Sequence, residues 1–133
     1  MIVFAYDWNG SLFGLDSARK ENGGLLVSIL EPDSGELLQT PHSFEEFLAH
    51  SATDEADAAL SLSFYREWLD RGGETPKPGM CAGCKVPLFL NGSDTVDNLS
   101  LQNLAVYVSL CGQMYTESRQ YPTGTKFSGA RIT

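Results

Sequence analysis

Leu25-Leu-Val-Ser-Ile-Leu30, Glu31-Pro-Asp-Ser-Gly35 and Glu36-Leu-Leu-Gln-Thr40 follow one another without a break. The first six residues are rich in β-formers and lack polar punctuation, as expected of a strand with buried neighbours. The next five supply turn chemistry: Pro32 presets φ and Gly35 accepts a left-handed backbone. The last five return as a partner strand, so residues 25–30 and 36–40 are predicted to form a hairpin.

The same logic extends toward the N-terminus. Residues 2–8 read as a strand, Asn9-Gly10 as a tight turn, and residues 11–15 as the returning strand. Asn-Gly between apolar runs is a strong hairpin signal because both residues tolerate positive φ. Residues 16–24 are polar and are predicted to be a loop. Two hairpins in succession give an antiparallel sheet of about four strands.

Downstream the period changes. Pro41-His42-Ser43 is predicted to break the strand, and Ser43 with Glu46 fits a capping box for a helix carrying Phe44, Phe47 and Leu48 on one face. A second helix is predicted from Thr53 or Asp54. Its stripe is Ala56, Leu60, Phe64 and Trp68, widened by Tyr65 and Leu69 and ended by Gly72-Gly73. Residues 74–79, Glu-Thr-Pro-Lys-Pro-Gly, make a stiff connector. Residues 86–90 read as a strand closed by Asn91-Gly92, and residues 96–99 as another short one. Ser100 is predicted to cap a helix over residues 101–118, with Leu104, Tyr107, Val108, Cys111, Met114 and Tyr115 inward. Tyr121-Pro-Thr-Gly124 ends it, and residues 125–127 are predicted to add a strand. The prediction is a single α+β domain over residues 1–133: a mainly antiparallel twisted sheet with helices packed on one face.

Composition narrows the function. The 133 residues are 42% hydrophobic and 20% charged, ordinary for a globular domain, and the formal net charge is −8. That balance repels phosphate backbones and anionic membrane surfaces, so neither nucleic acid nor membrane is an expected partner. Residues 1–75 hold 14 acidic and 4 basic side chains, net −10, against 3 and 5, net +2, in residues 76–133. Such asymmetry fits capture of a basic protein, as well as simple solubility. The first six residues, Met-Ile-Val-Phe-Ala-Tyr, lack the basic start and apolar length of a signal peptide. No apolar run reaches the roughly 20 residues of a membrane helix, so a cytoplasmic location is expected.

Reactive groups are sparse. Cys81-Ala-Gly-Cys84 has redox spacing, but it follows a Pro-rich connector and precedes a predicted strand, where no helix N-terminus lowers a thiol pKa. Zinc needs four ligands, and Cys111, His42 and His50 lie too far apart in sequence to form a second pair. Two reduced thiols at the start of a strand are the plainer reading, with a metal-binding or redox module as the alternative. His42 and His50 flank the first helix without a nucleophile and orienting carboxylate, so no catalytic residue, metal or cofactor is assigned. Asn91-Gly92-Ser93-Asp94 has the look of a cation loop but too few ligands follow. Glu45, Glu46, Asp54, Glu55 and Asp57 form an acidic run across two helix starts, where carboxylates complement the helix dipole. They are also candidates, with Trp8 beside the first turn, for contacts to a protein partner. Trp68 lies on the helix stripe and is expected in the core.

One resemblance runs through these segments. Val86-Pro-Leu-Phe-Leu-Asn-Gly-Ser-Asp-Thr-Val-Asp-Asn-Leu99, Val106-Tyr107 and Cys111-Gly-Gln113 resemble the C-terminal domain of a bacterial immunity-protein family associated with type VI secretion. Asp7-Trp8, the turn from Glu31 to Glu36, Ser43-Phe-Glu-Glu-Phe47 and Tyr121-Pro-Thr-Gly-Thr125 extend the likeness over most of the chain. Asn91 stands where that motif more often has Gly, and Cys84 where a larger, often aromatic, side chain is usual. The resemblance implies a small non-enzymatic α+β protein, similar in role to SUKH-type immunity proteins, that neutralises a cognate toxin, such as a nuclease effector. A SUKH-type regulatory or ligand-binding domain is the other reading, and a deep apolar pocket would favour it.

Overall fold

The computed structural model describes residues 1–21, 24–51 and 61–120, without the side chains of His50 and Ser51. It is a mixed α+β protein with a mainly antiparallel sheet. β1 (Ile2–Tyr6), β2 (Leu12–Glu21), β3 (Gly24–Glu31) and β4 (Glu36–Ser43) form a four-stranded meander in the order β1-β2-β3-β4. α1 (Phe44–Ser51) follows directly, and α2 (Leu62–Asp70) leads into the connector. β5 (Met80–Cys84) and β6 (Leu99–Asn103) pair as an antiparallel ribbon, and α3 (Leu104–Ser118) closes the described chain.

Both predicted hairpins are present. In the first, Gly10 turns at φ 92°; in the second, Gly35 turns at φ 74°. Registers Phe13↔Ile29 and Leu15↔Val27 put these four side chains on one face of the sheet. There they meet Phe47 of α1, forming a core of Phe13, Val27, Ile29 and Phe47 flanked by Phe4, Ala5 and Leu15. The capping oxygen works as predicted: Ser43 Oγ accepts the Glu46 amide at 3.3 Å.

Two predictions about these strands need correction. Of the predicted loop 16–24, residues 16–21 continue β2 to Glu21, with a register irregularity between Asp16 and Lys20. Gly24 opens β3, and residues 22–23 lie outside the described residues. Arg19, within that irregularity, reaches across β3, donating to Ser28 Oγ at 2.9 Å and to the Thr40 carbonyl at 2.6 Å. This long cross-strand anchor allows a polar stretch to stay in the sheet. Pro41 does not end β4 either, because β4 is an edge strand, where a missing N–H costs least. On the first helical face only Phe47 is buried; Phe44 packs edge-on to Phe4 at 4.9 Å, and Leu48 is exposed.

The second predicted helix is described from Leu62. Ser61 before it has φ 52°, a left-handed backbone that an uninterrupted helix through this point does not allow. Residues 52–60, with the stripe positions Ala56 and Leu60, lie outside the described residues. Trp68 is in the core as predicted, its Nε1 donating to the Glu74 carbonyl at 2.9 Å.

The C-terminal part departs furthest from its sequence reading. Residues 86–90 are not a strand. Val86 gives its amide and carbonyl to the Asn98 side chain, and Leu88–Leu90 form a 3-10 turn closed by Asn91 at φ 66°. Residues 96–99 likewise begin as a 3-10 turn, Val96–Asn98. Ser100 caps nothing: residues 99–103 are bound to β5 through the register Met80↔Asn103 to Cys84↔Leu99. The helix therefore starts at Leu104, where Asn103 Oδ1 accepts the Val106 amide at 3.1 Å. From there the predicted inward face holds, with Tyr107 and Cys111 buried and Leu104, Val108, Met114 and Tyr115 partly so. The residues predicted to end this helix and to add a final strand, 121–127, lie outside the described residues.

The helices have separate supports. α1 rests on β3 and β4, whereas α3 rests on β5 and β6. The two hairpin turns of the large sheet join these halves. The Trp8 carbonyl accepts the Ala82 amide at 2.7 Å, and the Asp33 carbonyl accepts the Phe89 amide at 3.1 Å. No helix among the described residues is long and apolar enough to cross a membrane.

Candidate functional site

The junction of the two halves concentrates the molecule's unusual chemistry. Asp7, the last polar residue before the Asn9-Gly10 turn, is buried. Its Oδ1 accepts the amides of Asn9 at 2.9 Å and Ser11 at 3.0 Å, fixing the turn. Burial pushes its pKa up to about 7, the two amides oppose that rise, and the nearby Glu31 adds to it. Ser11 Oγ donates to Glu31 Oε2 at 2.6 Å, linking the first turn to the end of β3. Two residues on, burial and the repulsion of Glu31 raise Asp33 to about 6, with Asp94 contributing and the Ser34 amide opposing.

Beside this network lies an open cleft of about 540 Å³. Glu31, Asp33, Glu36 and Asp94 supply four carboxylates to its lining. Leu38, Phe64 and Leu88 give it apolar wall. Asn9 also lines it, and Asn9 Oδ1 is buried with no hydrogen-bond donor among the described residues. The cleft is acid-lined and open, unlike a deep apolar ligand pocket. Among the described residues no three His, Cys, Asp or Glu side chains converge as metal ligands would, so these carboxylates ring the space without meeting at a point.

The residues proposed from sequence for partner contact are placed differently. Glu45 and Glu46 are exposed in the first turn of α1, as expected for a solvated face. Glu46 Oε2 approaches His42 Nδ1 to 3.5 Å. Asp54, Glu55 and Asp57 lie outside the described residues, so the acidic run is seen only at its start. Trp8, the candidate beside the first turn, is partly buried. Its ring packs at 5.0 Å from Tyr65 and 5.7 Å from Phe64, against the core of Trp68, Ala82, Cys84, Val96 and Leu99. The hairpin turn inserts it there, leaving it partly exposed.

The cysteine pair takes a definite form. Cys81 and Cys84 lie inside β5 itself, a correction to their predicted place before a strand. Side chains three apart in a strand face opposite sides. Cys81 accordingly packs with Tyr107 and Cys111, and Cys84 with Trp68 and Ala82. Both thiols, like Cys111, are free and buried, and burial pushes each up to about 12. Thiols so oriented cannot chelate one ion together, and so little thiolate makes a poor nucleophile.

Sequence reading missed Glu31, Asp33, Glu36 and Asp94 as one group. Two signals existed: three carboxylates within the six-residue turn from Glu31 to Glu36, and Asp94 in the apparent cation loop. Their meeting depends on the Phe89–Asp33 backbone bond, which no local pattern encodes.

Compared with models of known protein families and with curated proteins, the chain matches none. The likeness to the immunity-protein family therefore rests on the residues that carry it.

Proposed function

We propose that the chain is a non-enzymatic bacterial immunity protein that captures a cognate toxin through an acidic surface. In this reading it acts in the cytoplasm against a type VI secretion effector, for instance a nuclease. It requires no metal or cofactor, and its partner is a protein, with neither nucleic acid nor membrane involved. The observation that supports it best is the open cleft bearing four carboxylates on a chain of net charge −8. A nuclease presents cationic groups to hold phosphate, and an acidic surface is their natural complement. Exposed Glu45 and Glu46 extend the acidic character onto α1. A stable inhibitory interface buries roughly 1,200–2,000 Å² in total, so the cleft would be one part of it.

Co-expression with the toxin encoded beside this gene tests the proposal. The expected outcome is restored growth and a stoichiometric complex on co-purification. Continued toxicity, with no complex recovered, rejects it.

A further inference from the structure

We propose that the junction of the two halves is a proton-controlled seam, closed while Asp7 and Asp33 carry protons and opened locally, with the four-stranded sheet intact, when they ionise. The seam works the same way whether or not the chain binds a toxin.

Two hairpin turns make the seam, and each brings one carboxylate to it. In the first turn, Asp7 precedes Trp8, whose carbonyl accepts the Ala82 amide at 2.7 Å. Gly10 of that turn meets the C-terminal half so closely that a Cβ there would stand 3.3 Å from Cys81 Sγ. In the second turn, the Asp33 carbonyl accepts the Phe89 amide at 3.1 Å, and Cys84 Sγ donates to Asp33 Oδ2 at 3.8 Å. Glu31 ties the two turns together through Ser11 Oγ. Parting the halves therefore hydrates both carboxylates in one movement.

Nothing cationic balances these groups. Asp7 faces Glu31 from β3 and Cys81 from β5. Asp33 faces Glu31, Asp94 from the 91–94 loop, Cys84 from β5, and Tyr107 and Cys111 from α3. Each of these neighbours is acidic or neutral. Among the described residues neither Asp7 nor Asp33 is ion-paired with a lysine, arginine or histidine. Like charges in a desolvated place resist joint ionisation, so the counter-charge of the closed seam is a proton. Burial first, and the repulsion of Glu31 after it, raise Asp7 to about 7 and Asp33 to about 6. Closure thus has their full support below about pH 4 and loses it as pH rises through 6 and 7.

Native-state amide exchange of the full chain, ¹⁵N-labelled, tests this at about pH 5 and about pH 8, without and with low urea. After correction for the intrinsic base catalysis of exchange, protection of the Ala82 and Phe89 amides should fall at least about tenfold between the two pH values. That protection should depend little on urea, because local opening exposes little surface. The amides of the β2–β3 pairing should stay better protected and respond steeply to urea. Asp7→Asn/Asp33→Asn keeps an acceptor oxygen at each position and removes both charges; protection of Ala82 and Phe89 should then hold within about twofold. Glu45→Gln/Glu46→Gln on α1 should leave the pH response in place. Circular dichroism verifies that the variants are folded. Carboxyl ¹³C titration of the unaltered chain, which needs no variant, should find Asp7 and Asp33 ionising above about pH 5.

Seam amides that share the urea dependence of the β2–β3 amides overturn the local opening. Protection that ignores pH, a pH response surviving in Asp7→Asn/Asp33→Asn or lost in Glu45→Gln/Glu46→Gln, or ionisation of both carboxyls below about pH 5 overturns the proton control.

Discussion

In the four-stranded sheet, Phe13, Val27, Ile29 and Phe47 exclude water because alternation along each strand points them the same way. In the β5–β6 ribbon and α3, the buried group is Tyr107 with Cys81 and Cys111, and it is fitted by contact. A Cβ on Gly83 would stand 2.6 Å from the Tyr107 ring, and one on Gly10 2.9 Å from it. The Tyr107 hydroxyl accepts the Cys84 amide at 3.2 Å. One half is thus built by pattern and the other by close approach of a ring to two glycines. Gly10 belongs to the first hairpin, so the second core uses a turn of the first half. Pattern-built cores accept repacking, whereas contact-built ones lose their fit with a single added methyl.

The largest effect should come from the ring that joins the halves. Tyr107→Ala is expected to cost about 3–5 kcal/mol, read as a fall in the urea midpoint. Tyr107→Phe should cost only about 1–2 kcal/mol, the share of the hydroxyl that accepts the Cys84 amide. If the alanine variant costs no more than the phenylalanine one, the second core is not organised around this ring.

A pH series probes the junction next. Asp7 is raised from 3.8 to about 7 and Asp33 from 3.8 to about 6, so the folded protein holds protons that the unfolded chain has released. Their stabilisation is complete below about pH 4 and is lost as pH rises toward 7. Urea unfolding should therefore show a decline of several kcal/mol, at most about 7, between pH 4 and 8. Asp7→Asn should flatten most of that slope. An unchanged slope in this variant would place the pH dependence elsewhere.

Smaller effects sharpen the contrast within each half. Asn98→Ala removes the bonds to both the amide and carbonyl of Val86, at 3.0 and 2.8 Å, and one to the Ser93 carbonyl. It should cost about 1–3 kcal/mol and free the loop of residues 85–98, seen as faster amide exchange there. Ser43→Ala removes only a cap on α1, worth about 1 kcal/mol, and exchange in the C-terminal half should not change. Coupled loosening of both regions by the Ser43 variant would dissolve the distinction between them.

The difference between the halves also explains what could be read from sequence. Both N-terminal hairpins were legible because turn residues and flanking apolar runs specify them locally. The inward face of α3 was legible for the same reason, its period being independent of where the helix starts. The strand predicted at residues 86–90 failed because Val86 spends its backbone groups on Asn98, twelve residues away, and Pro87 has no N–H to give a ladder. β5 was missed because Met-Cys-Ala-Gly-Cys has no alternation: the strand is buried along nearly all its length, with Tyr107 on one face and Trp68 on the other. Of the candidate partner contacts, Glu45 and Glu46 are exposed as a charge run predicts, whereas Trp8 is drawn in by Phe64 and Tyr65.

Local patterns in the chain suffice for the α+β class, the two hairpins, the buried stripe of α3 and the acidic bias of the first 75 residues. Each follows from propensity, period or charge acting over a few neighbouring positions. The three-dimensional fold places Cys81 and Cys84 on opposite sides of a strand and delays helix α3 until β6 has finished pairing. It alone brought Asp94 beside Glu31, Asp33 and Glu36. These outcomes depend on hydrogen bonds and packing between distant segments, whose partners no local window contains.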